Sequence, residues 1–191
     1  MRARAGAFLF ACCLLTATQA QDSPKHVSNF TLSDFNGAKH SLTDFKSAKA
    51  VVLVFIATQC PVSNAYNDRM EQISKDFSGR GVTFIGINSN RNESPEEIKQ
   101  HAGEHGLTFL ILKDVNNTIA DKLGASVTPE AYLLDAKFDL LYHGRIDDSR
   151  RESQVTSMDL RSALEAVLAG KPVPVQETKA FGCTIKRVPR G

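Results

Sequence analysis

Residues 50–64 read AVVLVFIATQCPVSN, an unbroken apolar run that stops at a cysteine followed by a proline. Positions 50–56 are all apolar and mostly β-branched or aromatic, which predicts a strand buried on both faces at the centre of a parallel sheet. Thr58, Gln59 and Cys60 then form a short turn. Pro61 suits the first turn of a helix, where its missing N–H leaves nothing unpaired, and Val62, Tyr66, Met70, Ile73 and Phe77 continue at helical spacing towards a stop at Gly79. Cys60 is thereby expected at a helix N-terminus, where free backbone N–H groups and the positive end of the helix dipole stabilise a thiolate, the form that attacks disulfides and peroxides. Burial as an inert structural cysteine is the alternative. The order strand, turn, proline, helix instead puts the sulfur at the carboxyl edge of the sheet, where α/β proteins place their sites.

Working outward, Phe30 to Leu32 and Lys39 to Leu42 flank Asn36-Gly37, so a β-hairpin precedes the central strand. VTFIGI, beginning at Val82, reads as the next strand. Ser94, Pro95 and Glu97 open a helix with an N-cap, a proline at its first position and a capping glutamate. A short apolar piece follows from Thr108, then a short helix closed by Gly124. AYLLD from Ala131 and LLYHG from Leu140 pair as a second hairpin, and Leu160, Leu164, Val167 and Leu168 mark a final amphipathic helix. This order predicts an α/β fold with a central mixed β-sheet flanked by helices and an N-terminal β-hairpin.

The chain has 191 residues, 42% hydrophobic and 23% charged, which suits one well-packed domain; a formal charge of only +2 gives no global field directed at nucleic acid. Arg2 and Arg4, an apolar run from Ala5 to Leu15 and small residues ending at Ala20 read as a secretory signal peptide over 1–20, too short in its apolar part to span a bilayer. Lipid anchoring through Cys12 is the less favoured reading. Residues 21–28 are expected to be disordered, 29–170 to form the domain, and 171–191 to be a tail stiffened by KPVPV and carrying Cys183. Cleavage after Ala20 leaves Cys60 and Cys183 as the only cysteines, in a secreted or periplasmic, oxidising setting without a membrane span. Two cysteines make either one structural bridge or a nucleophile and its partner.

The element order, the cysteine at the first helix N-terminus and Thr128-Pro129 just ahead of a strand resemble the thioredoxin fold, and within it the peroxiredoxin-like redoxins that include alkyl hydroperoxide reductase and thiol-specific antioxidant proteins. The resemblance implies a thiol oxidoreductase without cofactor or metal. Cys60 would be its nucleophile, Pro129 a cis-proline facing it, and Thr58, Pro61, Ser63, Thr128 and Pro129 would line the substrate groove. The implied partners are a peroxide or protein disulfide as substrate and an external thiol as reductant. Two departures stand out. Cys60 to Ser63 is Cys-x-x-Ser, with no second thiol one turn along, and Ala57 and Leu53 occupy the places of the threonine and proline that polarise peroxide in typical peroxiredoxins, leaving Arg69 or Arg145 as candidate charges. Cys183 is accordingly the candidate resolving cysteine, on a tail whose roughly twelve residues from Lys171 span up to ~40 Å.

Other patterns are weaker. His101, Glu104 and His105 spell H-x-x-E-H but lack a third ligand in context, so a solvent-facing helix end is the simpler reading. Asp147 and Asp148 read as a charged loop. A non-enzymatic thiol- or copper-binding module on the same fold is the alternative function; copper would want two cysteines and a histidine close together.

Overall fold

A computed structural model describes residues 25–189. Seven strands form one mixed sheet: β1 (Thr31–Asp34), β2 (Lys39–Ser41), β3 (Ala50–Ile56), β4 (Val82–Asn88), β5 (Leu110–Lys113), β7 (Glu130–Asp135) and β8 (Leu140–Gly144), in the order β2-β1-β5-β4-β3-β7-β8. β3 runs parallel to β4, β4 parallel to β5, and β7 antiparallel to β3. The two hairpins close the two ends of the sheet.

Every residue of β3 is buried, because strand periodicity sends alternate side chains into two separate cores. Val52, Val54 and Ile56 pack with Met70, Ile73, Phe77, Ile98, Leu160 and Leu164 on one face. These come from α2 (Asn67–Ser78), α3 (Pro95–Glu104) and α5 (Asp159–Leu168). Val51, Leu53 and Phe55 pack on the other face with Ile119, Ala120 and Leu123 of α4 (Thr118–Leu123).

The expected single helix after Cys60 is two. α1 (Pro61–Asn64) closes with a tighter three-residue bond, Tyr66 N–H to Ser63 O at 2.9 Å, and α2 starts afresh beyond Tyr66, which caps it at φ −103°, ψ −2°. Side chains anchor the break: the Ser63 hydroxyl accepts from Ala57 N–H at 3.2 Å, and the Tyr66 hydroxyl donates to Asp147 at 2.8 Å beneath the stacked Arg69 guanidinium. Asp147, expected in a charged loop, is therefore buried in an ion pair with Arg69.

The ends of the domain also differ from expectation. Lys25 to Ser28, placed in a disordered stretch, lie against the 138–140 turn: Val27 is buried and bonds Phe138 O, and His26 pairs with Asp139. The signal segment, and residues 21–24 with it, lies outside the described residues. Residues 171–189 do not trail away but run back over the domain as a strap. Thr178 bonds His143 O and Arg145 N–H, β9 (Cys183–Thr184) pairs antiparallel with β6 (Val127–Thr128), and Ile185 is buried.

Candidate active site around Cys60

The carboxyl ends of β3 and β4 lie side by side, Ile56 opposite Asn88, and the turn leaving β3 carries Cys60. Cys60 caps α1 with extended backbone (φ −94°, ψ 113°), and its Sγ accepts the Ser63 N–H at 3.3 Å. The peptide between Thr128 and Pro129 is cis, and the Cys60 thiol donates to Thr128 O at 3.4 Å. Thr128 pairs with Cys183 in the β6–β9 register, so the second cysteine is delivered to the same spot. Both cysteines are free thiols; Cys60 is 3% exposed and Cys183 half-buried.

Two opposed influences set the acidity of Cys60. Burial pushes the thiol up; the Cys183 thiol, the Thr128 side chain and the N–H groups of Ser63 and Cys183 favour the thiolate and outweigh it, so Cys60 titrates below the ordinary thiol value. The Thr128 hydroxyl is buried with no conventional hydrogen-bond partner, which leaves it available to the sulfur beside it. Cys183 moves the other way, raised by burial and by the neighbouring Cys60 sulfur. The proximity of these two thiols shifts them in opposite directions, Cys60 down and Cys183 up.

Cys60, Thr128, Pro129 and Cys183 thus meet at one point, and Ser63 contributes its N–H there. Pro61 occupies the first position of α1. Thr58 acts through its backbone, which is bound elsewhere, and the Ser63 hydroxyl is spent on Ala57 N–H. The two candidate arginines are engaged away from the sulfur, Arg69 with Asp147 and Arg145 with Asp159 at 2.8 Å. His101 and His105 place their rings 4.3 Å apart, with His101 bonded to Asn67; among the described residues no three His, Cys, Asp or Glu side chains group as metal ligands.

Sequence reasoning missed two buried carboxylates that bear on the Cys60 turn and the cis-proline. Glu93, 2% exposed, accepts the backbone N–H groups of Thr58 (2.8 Å) and Gln59 (3.1 Å) and the amides of Asn88 and Asn90. Glu130, directly after the cis-proline, accepts the N–H groups of Ser126 and Val127 and bonds His143 Nε2 at 2.6 Å. Burial pushes the Glu130 carboxyl up, but His143 and the two backbone donors hold it below the usual carboxylate range. Both lie near ends of strands that the sequence had already brought to the Cys60 edge, and that adjacency was the available signal.

A cysteine at the helix N-terminus of this mixed sheet, facing a cis-proline, defines a thioredoxin-fold protein of the peroxiredoxin-like kind. Residues 24–143 match the AhpC/TSA family, and the chain belongs to that family. It is 29% identical over 107 residues, 56% of its length, to the thiol-disulfide oxidoreductase ResA of Geobacillus thermodenitrificans (strain NG80-2), and 28% identical over 131 residues, 64% of its length, to the chloroplastic peroxiredoxin Q of Populus jackii. Each alignment spans 60% of the relative's own length. Among solved structures, a hypothetical protein from Sinorhizobium meliloti 1021 superposes with TM-score 0.83 at 31% identity, covering 90% of this chain and 98% of that one. An uncharacterized conserved protein from Geobacillus kaustophilus gives TM-score 0.82 at 34% identity, covering 89% and 94%.

Proposed function

We propose that the chain is a thiol-dependent oxidoreductase of an oxidising, secreted or periplasmic compartment, with Cys60 as nucleophile and Cys183 as resolving thiol. The observation that carries this reading is the juxtaposition of the buried Cys60, its thiol shifted down, with Cys183, its thiol shifted up, beside the cis-Pro129 turn. The names of the relatives, one a thiol-disulfide oxidoreductase and one a peroxiredoxin, support the same reaction class. The arginine-led apolar segment ahead of Ala20 supports the compartment.

In the cycle, the Cys60 thiolate attacks the distal oxygen of a hydroperoxide. The O–O bond breaks, an S–O bond forms, and the leaving alkoxide takes a proton to depart as an alcohol, or as water when the oxidant is hydrogen peroxide. Cys183 then attacks the Cys60 sulfenic acid, forming the disulfide and releasing water, and an external dithiol returns two electrons and two protons. A peroxide is favoured over a polypeptide disulfide as oxidant because the strap already pairs with β6 and covers Cys60. A small molecule needs less of the strap to move aside.

Peptide mapping under non-reducing conditions after one equivalent of hydrogen peroxide tests the reading. The expected product joins the Cys60 and Cys183 peptides, Cys60→Ser consumes no peroxide, and Cys183→Ser accumulates Cys60 sulfinic acid under excess oxidant. Peroxide or disulfide turnover that survives Cys60→Ser would end the proposal.

A further inference from the structure

The Cys60 turn and the Cys183 strap are far apart in sequence, yet one small polar cluster on the β4–α3 loop holds both. Glu93 and Asn90 are 2% and 4% exposed. The Glu93 carboxylate takes four N–H donors: Thr58 and Gln59 from the backbone immediately ahead of Cys60, and the side-chain amides of Asn88 and Asn90. Asn90 faces both ways. Its Nδ2 donates to Glu93 at 3.2 Å, and its Oδ1 accepts the Lys186 N–H, three residues past Cys183, at 2.7 Å. The adjacent Arg91 N–H bonds Lys186 O at 2.9 Å, so the strap is held through both backbone polar groups of Lys186. Lys113 ties the cluster to the sheet through Asn88 Oδ1 and Asn90 O.

We propose that Glu93 and Asn90 are positioning residues for the redox pair, holding the backbones of Cys60 and Cys183 in one register through the path Thr58/Gln59, Glu93, Asn90, Lys186. This rests on reading Cys60 and Cys183 as that pair. A disulfide demands a narrow Cα separation and dihedral, so the effective concentration of one thiol at the other depends on how firmly both backbones are held. The β6–β9 pairing fixes Cys183 against Thr128, and the Glu93–Asn90 link fixes the Cys60 turn against the same strap. Neither residue touches a sulfur or a substrate.

The test is equilibration of the full mature chain with reduced and oxidised glutathione, where protein dithiol plus oxidised glutathione gives protein disulfide plus two reduced glutathiones. Three variants are compared with the native chain: Asn90→Ala, Glu93→Gln, and Leu164→Ala, a core substitution in α5 that lowers stability without touching the cluster. Asn90→Ala removes the link to the strap. Glu93→Gln turns an NH2 group towards donors that need an acceptor. Each is expected to reduce the equilibrium constant for Cys60–Cys183 disulfide formation by about tenfold, a rise of about 30 mV in potential. Leu164→Ala is expected to keep the native value. Native values in both cluster variants, or an equal shift in Leu164→Ala, would overturn the positioning role. A native chain that forms no Cys60–Cys183 disulfide at any glutathione ratio would instead overturn the redox-pair reading beneath it. If Glu93→Gln does not fold, Asn90→Ala alone decides.

Discussion

Cys60 owes its acidity to its neighbours more than to its helix, since α1 is a single turn of four residues. Of the groups opposing burial, the Cys183 thiol and the Thr128 side chain come first. Cys183→Ala and Thr128→Val each remove one of these, and the titration of Cys60 should move upwards in both. Because a lowered thiol pKa means more thiolate at neutral pH, the upward move lowers the thiolate fraction at pH 7. Reaction of Cys60 with an added electrophile such as iodoacetamide at that pH then slows, and the loss is recovered as pH rises through the new value. Thiolate absorbance near the ultraviolet cut-off, followed against pH, checks it. An unchanged Cys60 titration in both variants would place the acidifying influence elsewhere. In the native chain the two thiols should titrate in separate steps that belong to the pair, since each sulfur alters the other.

Among the elements, the strap depends on close backbone approach. A Cβ at Gly182 would sit 1.9 Å from Thr128 O and 2.7 Å from its carbonyl carbon, and backbone atoms in a paired strand have little freedom to yield. Gly182→Ala should therefore part β9 from β6 and destabilise the chain by about 1–3 kcal/mol, in the range of overpacked sites. Alkylation of Cys60, slow while that residue is covered, should become faster. Equal alkylation rates in the variant and the native chain would show that the strap does not guard the site. The strands, both hairpins, the capped α3 and the Cys60 turn were legible because each rests on local pattern: β-branched runs, Asn-Gly, Ser94 with Glu97, Cys60-Pro61. The strap was not. Residues 171–189 bury little beyond Val173 and Ile185, and their place is set by hydrogen bonds to Asn90, Asn117, Asp121 and Thr128 that leave no periodicity in the sequence. The break at Tyr66 was hidden for the same reason, since Tyr66, Met70, Ile73 and Phe77 keep helical spacing across it while Asp147 and Ser63 impose the kink.

At the scale of the whole molecule, buried carboxylates join segments that the apolar cores alone would leave loosely ordered. Glu71 on α2 accepts the N–H and hydroxyl of Thr108, bringing the start of β5 to the helix, and Lys75 reaches the same carboxylate. Glu130 gathers the entry to β6 and the strand β8 through Ser126, Val127 and His143. Burial raises both groups, yet Thr108 and Lys75 on one, and His143 with two backbone donors on the other, leave each below its ordinary value of 4.5. A carboxyl whose folded pKa is depressed binds its proton more readily in the unfolded chain, so unfolding takes up protons as the pH drops. The stabilisation is complete above about pH 4.5, the unfolded value, and disappears as the pH falls through the lower folded values. Urea midpoints measured at pH 7, 4.5 and 3 should therefore hold nearly level across the first interval and drop across the second. Glu130→Gln should lower the midpoint at pH 7, by about 2 kcal/mol in stability for hydrogen bonds to a lost charge. It should also flatten the acid decline in part, because one of the linked protons is gone while Glu71, Asp34, Asp76, Asp148 and Glu165, also held low, still take theirs up. A native midpoint that does not change between pH 4.5 and 3 would mean that these carboxylates contribute nothing net, and that the two apolar cores hold the cis-proline turn against the sheet unaided.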